Sequence, residues 1–259
     1  MPNRCLSSVI ALGWIFVFAG TIFGQAKTAK NNGASVDPRD ISGVFQATGS
    51  GVTHINEPPE TFLQPWALKE LNAEPIALRK DLPQSEGGGE TTIGANEGDI
   101  SCSQISLTTF ITKAKPIESV LTPRRMFMFF EYQNTFRTIW MDGRPLNKDP
   151  DPTYFGTSVG RWEGNTLVVE TDGFNDRTQI IGMPHSDAAH MVERYTRKDA
   201  KTVELTFTVD DSKAYTKPFT AATKLIQHPD WELAESFCVQ EDFDNFKKKV
   251  IDPVASAPK

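Results

Sequence analysis

The sequence predicts a mostly β domain, in which an antiparallel meander closes into a barrel-like or strongly curved sheet. Apolar and polar residues alternate along several short segments, most regularly at residues 202–209, and a period of two is typical of a half-buried strand. Turn residues separate these segments, and no helical spacing lies between the hairpins. Sequential hairpins of this kind commonly form a barrel, and a two-sheet sandwich is the alternative.

The N-terminal part of the domain is predicted to hold one strand and one short helix. Residues 41–47 (ISGVFQA) form the strand. Five prolines interrupt residues 57–83, and a helix fits only at Pro65–Leu71. We expect this Pro-rich segment to cover one opening of the barrel, and the glycine-rich residues 84–98 to form a mobile loop.

The first central hairpin is predicted from two apolar segments, residues 126–132 (MFMFFEY) and 136–141 (FRTIWM). Three loop-like residues join them, and a three-residue hairpin places Glu131 opposite Arg137 as a cross-strand ion pair. If buried, such a pair is costly unless it is fully hydrogen-bonded, so it indicates a candidate ligand site. A salt bridge in solvent is the alternative.

The clearest hairpin is residues 161–171, because Gly164 and Asn165 can adopt the two positive-φ positions of a tight turn. That turn sets Trp162 across from Leu167, which predicts a core position for Trp162. Further strands are predicted at residues 192–198, 202–209, 219–226 and 233–240.

The N-terminal residues have the features of a secretory signal peptide. Arg4 precedes a long uncharged stretch, and small residues follow it at Gly24 and Ala26. We therefore expect export to the periplasm or the extracellular space, and an uncleaved membrane anchor is the alternative. The predicted organisation is a signal peptide at 1–26, a flexible leader at 27–38, a single β-rich domain at 39–246 and a disordered tail at 247–259.

The composition limits the partners. The net charge of −6 and the lack of a lysine or arginine cluster in the sequence argue against nucleic acid. No later apolar stretch is long enough to span a bilayer, and no glycine-rich loop has the strand-to-helix context of a nucleotide cofactor site. We expect a small molecule as the partner, no cofactor, and no membrane association after signal removal. The sequence leaves the oligomeric state open.

Cys102 and Cys238 remain once Cys5 has been removed with the signal peptide. In an oxidising compartment, an even pair is most simply interpreted as a disulfide, and two unpaired buried thiols are the alternative. Neither has a cysteine neighbour, which excludes a zinc site of the CxxC type.

Several motifs resemble those of a large family of exported bacterial proteins for which no activity is established. They include DGR at 142–144, GTSVGRWEGNTLVVET at 156–171, GMPHS at 182–186 and the ER pair at 193–194. The resemblance covers nearly all of the mature chain. It implies export and a single domain, without indicating a reaction. Phe45 departs from it, since a tryptophan is usual at that position.

Two motifs suggest chemistry but lack its structural context. Residues 156–160 match GxSxG, but a nucleophile elbow requires a helix after the serine, and a tight hairpin follows Ser158. His185, His190 and Glu193 lie close in sequence. However, residues three apart on a strand point to opposite faces, so no metal site is expected.

Two functions remain, and a barrel is compatible with both. In the first, the sheet encloses a small, partly apolar molecule, and the candidate ligand-binding residues are Phe129, Glu131, Arg137, Trp140, Tyr154 and Trp162. In the second, the protein is a cofactor-independent hydrolase, lyase or isomerase, whose candidate catalytic residues are His185, Asp176, Glu193 and Arg194. There His185 transfers protons while an upstream carboxylate, Asp172 or Asp176, orients its ring.

Overall fold

The computed structural model describes residues 36–48, 54–72, 105–112, 115–176, 178–236 and 248. The predicted signal peptide, the glycine-rich loop and both cysteines of the predicted disulfide lie outside these residues, as do most of the leader and the tail. None of the described helices is long and apolar enough to cross a membrane.

Within the described residues, ten strands form a single sheet. The chain order β1-β3-β4-β5-β6-β7-β8-β9-β10 is also the spatial order, and β1 pairs back onto β10. Nine strands therefore close into a barrel, while β2 pairs with β10 near its start. The strands are β1 Gly43–Ala47, β2 His54–Ile55, β3 Ile117–Leu121, β4 Arg125–Phe130, β5 Thr135–Trp140, β6 Thr157–Glu163, β7 Thr166–Asp172, β8 His190–Arg197, β9 Thr202–Asp210 and β10 Phe219–Gln227.

The barrel prediction is confirmed, but one junction differs from a simple meander. Strand β5 pairs with β6 in parallel, with Ile139 beside Ser158, whereas the other pairs are antiparallel. The connection at residues 141–156 returns the chain to the end of the barrel where β5 began. Two parallel strands can be joined only by such a crossover. The prediction of consecutive hairpins is therefore wrong at β5–β6.

The register of the β4–β5 hairpin also differs from the prediction. Phe130 pairs with Thr135 and Met128 pairs with Arg137, because the chain turns through a short 3₁₀ helix at Tyr132–Asn134. Glu131 therefore lies in the turn, where its carboxylate accepts a hydrogen bond from the backbone N–H of Ala234 at 3.0 Å. The predicted Glu131–Arg137 ion pair is wrong.

Other local predictions agree with the structure wholly or in part. Glu163 pairs with Thr166 across the predicted two-residue turn. Gly164 has a φ of 60°, but Asn165 does not have a positive φ, so only one of the two predicted positive-φ positions is observed. Trp162 pairs with Leu167 and packs, partly buried, against the core. A helix, α1, occupies Pro65–Leu71 as predicted. The strand predicted at 233–240 is absent from its described part, residues 233–236.

The barrel interior is filled by side chains from the inward phase of each strand. In β9 these are Val203, Leu205, Phe207 and Val209, each at most 1% exposed, while the residues between them are not buried. Long inward side chains from facing strands meet in the middle, so the barrel has a packed core.

One end of the barrel, which we call the lower end, is where β5, β6, β8 and β10 begin. Phe62 of the Pro-rich segment stacks there on the inward-facing Phe219, with ring centroids 4.7 Å apart. A second helix, α2 (Leu107–Thr112), is buried at the same end. Its Phe110 ring packs against the Phe130 ring, with centroids 4.9 Å apart. The described part of the Pro-rich segment thus covers an opening, as predicted.

Candidate functional site

A buried ion pair lies inside the barrel between Arg137 of β5 and Glu193 of β8. Their guanidinium and carboxylate groups meet in a fork, at 3.0 Å (Nη1–Oε1) and 2.5 Å (Nη2–Oε2). The side chains are 2% and 0% exposed. Arg137 also donates from Nε to Ser158 at 3.1 Å and from Nη2 to Thr171 at 2.7 Å, and the Tyr195 hydroxyl donates to Glu193 Oε1 at 2.7 Å. We call these five residues the interior network.

The alternation of the strands places this network inside. Glu193 stands between Met191 and Tyr195 in the inward phase of β8, and Thr171 continues the inward phase of Val169 in β7. The sequence signal is a polar residue at a position where the period of two calls for an apolar one. Glu193 shows this signal, but its closeness in sequence to His185 and His190 led instead to its prediction as a catalytic residue.

The interior network has perturbed ionisation. Burial alone would lower the pKa of Arg137, but the charge of Glu193 and its hydrogen bonds raise it overall. Burial, followed by the charge of Glu193, raises the pKa of Tyr195 well above its ordinary value. Both effects hold Arg137 charged and Tyr195 protonated in the folded state, which is the form that their hydrogen bonds require.

Tyr195 predicts a loss of stability at alkaline pH. Its pKa is higher in the folded state than in the unfolded state. Its contribution to the free energy of unfolding is therefore complete below the unfolded tyrosine pKa of about 10 and falls as the pH rises above that value. Between pH 9 and pH 11 the expected loss from this residue is on the order of 1 kcal/mol. Urea unfolding at both pH values should show a smaller loss for Tyr195→Phe than for the wild type, and equal losses would contradict a buried, protonated hydroxyl.

The GxSxG segment has a structural explanation. Ser158 is 2% exposed and hydrogen-bonds to Arg137 and Thr171 inside the barrel, so its hydroxyl is not presented at a nucleophile elbow. Gly156 has a φ of 64°, and a Cβ there would lie 2.6 Å from the backbone oxygen of Asp172. At Gly160 a Cβ would lie 2.5 Å from the sulfur of Met141. Gly156 therefore allows close approach of the backbone at Asp172, and Gly160 leaves room for the Met141 side chain.

His185 belongs to the connection between β7 and β8 at the lower end. Its Nδ1 lies 2.9 Å from the carbonyl oxygen of Ser186. Because a carbonyl only accepts, Nδ1 carries the proton in the neutral ring, and Nε2 holds a lone pair that is buried without a hydrogen-bond partner among the described residues. Ser186 is fixed in turn by Asp211, whose carboxylate accepts from its N–H and hydroxyl at 2.5 and 2.7 Å. A backbone carbonyl, and not an upstream carboxylate, orients His185.

The four predicted catalytic residues do not converge. Glu193 and Arg194 are consecutive in β8 and point to opposite faces, and Arg194 forms an exterior ion pair with Glu163 at 2.8 Å. Asp176 is exposed. Asp172, one of the two predicted orienting groups, contacts His190 at 2.7 Å. The predicted His185–Glu193–Arg194 constellation is therefore wrong as a single site.

The predicted ligand-binding residues also separate. Phe129 and Trp140 occupy the outward phase of their strands, while Arg137 points inward. Tyr154 is half-buried in the connection between β5 and β6, and Trp162 lies near Arg39, whose guanidinium is 5.8 Å from the ring centroid. Because outward and inward residues alternate along β4 and β5, these side chains cannot line one interior cavity.

A groove of about 340 Å³ lies on the outside of the barrel, beside the turn between β4 and β5. Phe129 forms one wall, and residues 231–236, which cross this turn, contribute Leu233. The remaining lining residues are Glu118, Phe130, Asn134 and Thr135.

Phe129 and Phe136 are neighbours across the outer face of β4 and β5, with ring centroids 6.1 Å apart. They are 37% and 56% exposed. Contiguous exposed aromatic side chains beside a groove are typical of a site that contacts another molecule. This outer groove was missed because the predicted register put Phe129 inside the sheet.

Among the described residues, histidine, cysteine, aspartate and glutamate side chains form no group of three with metal-binding geometry. Comparison of the chain with models of protein families, with curated proteins and with solved structures found no match in any of the three.

Proposed function

We propose that the protein is an exported β-barrel that binds a small, partly apolar molecule in the outer groove. The observation that carries the proposal is the pairing of exposed aromatic rings with a groove of about 340 Å³, a volume within the range of small-molecule sites. The barrel interior is occupied by the side chains of the core cluster. Export rests on the N-terminal sequence and on the family resemblance.

Binding is tested with Nile red, an uncharged apolar dye whose fluorescence rises on leaving water. We expect saturable binding that weakens about tenfold or more in Phe129→Ala, because losing a buried phenyl contact costs about 1.5–3 kcal/mol. Trp66→Ala is the matched control, since Trp66 is an aromatic residue of similar exposure, 42%, in α1. Equal weakening in both variants, or none in either, would exclude the groove as the site.

Export and occupancy are tested together by native mass spectrometry of the protein from its host. The expected chain begins near Gln25 or Lys27, is about two mass units lighter than the reduced form if Cys102 and Cys238 are joined, and carries a small molecule that dissociates on activation. Recovery of chains that begin at Met1 in a membrane fraction would instead identify the segment as an anchor.

One observation favours acid–base catalysis as a second candidate: the buried Nε2 of His185 has no hydrogen-bond partner among the described residues. A neutral imidazole fixed at Nδ1 presents a base at Nε2. Nitrogen-15 NMR of histidine-labelled protein should find the neutral His185 ring protonated at Nδ1. Asp211→Asn should loosen this preference by releasing Ser186, and a ring protonated at Nε2 in the wild type would remove the catalytic candidate.

A further inference from the structure

The outer face of β3, β4 and β5 has three rows of outward side chains. In the row nearest the groove, Glu118 pairs with Phe129, which pairs with Phe136. The next row contains Phe127, whose ring centroid is 6.0 Å from that of Phe129. The last row pairs Arg125 with Trp140. An apolar surface therefore leads from the groove to an arginine.

The far end of this face is cationic. The guanidinium carbons of Arg125 and Arg144 lie 4.4 and 3.6 Å from the Trp140 ring centroid. Arg144 donates two hydrogen bonds to the Asp142 carboxylate, from Nε at 2.9 Å and from Nη2 at 2.7 Å. Arg124 Nη2 lies 3.6 Å from Oδ2 of the same carboxylate. The pKa of Asp142 is lowered to about 2, mainly by hydrogen bonds from Arg144, so this carboxylate is ionised at neutral pH.

Arg124 and Arg144 contact Asp142, and Arg125 does not. With three guanidinium groups and one carboxylate, the cluster is net positive on a protein of net charge −6. Among the described residues, the side chain of Arg125 contacts Trp140 and forms no ion pair. A guanidinium held on an aromatic ring keeps its N–H edge available to an oxyanion. Arg125 is therefore placed to accept an external anion.

We propose that the ligand of the outer groove is a single-chain amphiphilic anion, with its apolar end at Phe129 and Phe136 and its anionic group at Arg125. This deepens the proposed function and rests on it. The only carboxylate of the three rows, Glu118, stands at the groove, so the charges orient the ligand. Phe129 lies four positions from Arg125 along β4, a span of about 13 Å, which a medium-length alkyl chain bridges.

The test displaces bound Nile red with decanoate, decanol and decyltrimethylammonium at low salt. The two ionic compounds are used below their micelle concentrations and decanol below its solubility limit. We expect decanoate to displace the dye at a concentration about tenfold lower than the neutral or cationic compound, which is the effect of one charge-assisted hydrogen bond. Arg125→Gln should remove this advantage and leave decanol unchanged. Arg161→Gln is the control, since Arg161 is a half-exposed arginine of β6.

The outcomes separate the two proposals. Equal displacement by decanoate and decanol, with no effect of Arg125→Gln, would overturn the anionic ligand but leave groove binding intact. Unaltered Nile red binding in Phe129→Ala would overturn groove binding itself. If decanoate fails while phosphatidylglycerol vesicles sediment the wild type but not Arg125→Gln, the face docks on an anionic membrane and the amphiphile proposal is wrong.

Discussion

Replacing Arg137 by methionine is expected to destabilise the barrel by about 3–5 kcal/mol, the cost of leaving one charge of a buried pair unpaired. The substitution removes the only guanidinium that contacts the Glu193 carboxylate among the described residues. It also removes the donors to Ser158 and Thr171. These hydroxyls lose less, because they lie 3.0 Å apart and can hydrogen-bond to each other.

The double variant Arg137→Met/Glu193→Leu distinguishes a desolvation effect from lost packing. With both charges gone, no buried ion remains, and we expect at least half of the lost stability to return. The double variant should still be less stable than the wild type, since Tyr195 loses its hydrogen bond to Glu193. Urea midpoints of the two single variants and the double variant measure the coupling.

Glu163→Gln is the matched surface control, because Glu163 pairs with Arg194 on the outside of the barrel, where both side chains are well exposed. Exposed ion pairs contribute little, so its midpoint should match that of the wild type. A midpoint for Arg137→Met equal to that of the control would show that the interior pair is hydrated in solution, against the burial seen here.

Period-two patterns allowed much of the barrel to be predicted from sequence. The alternation in β9 and the glycine–asparagine turn of the β6–β7 hairpin are local signals, and both elements are where they were predicted. Strand β3, Ile117–Leu121, was missed because its polarity runs against its burial: Ser119 is 4% exposed while Val120 is 38% exposed. The β5–β6 pair was missed because a parallel contact depends on a crossover rather than on local sequence.

The candidate site was less predictable because it depends on register. The predicted register of the β4–β5 hairpin differs from the observed one, in which Met128 lies opposite Arg137. The predicted register therefore placed Phe129 in the interior and gave Arg137 the wrong partner, because a shift of one residue moves every side chain of a strand to the other face of the sheet. Glu193 is the partner of Arg137, from a strand three positions away around the barrel. No spacing in the sequence encodes that contact.

The second large effect is expected at the lower end, where Phe62→Ala should cost about 3–5 kcal/mol. Phe62 is fully buried and stacks on Phe219, and its ring meets Tyr215 edge-to-face at 5.9 Å. Truncation leaves a cavity between a loop and the barrel, and each lost aromatic pair adds about 0.5–1.5 kcal/mol beyond area burial. The backbone next to Phe62 is anchored to the barrel, because the Gln64 N–H donates to the carbonyl oxygen of Ala214 at 2.8 Å. The loop therefore cannot easily collapse into the cavity.

Phe136→Ala is the matched control for Phe62→Ala, because it makes the same chemical change at a side chain that is 56% exposed. Little apolar area is re-exposed there, so the loss should be a small fraction of that in Phe62→Ala. Urea unfolding of both variants, read by the fluorescence of the native tryptophans, gives the comparison. A loss in Phe62→Ala no larger than that in Phe136→Ala would mean that the Pro-rich segment detaches from the barrel in solution.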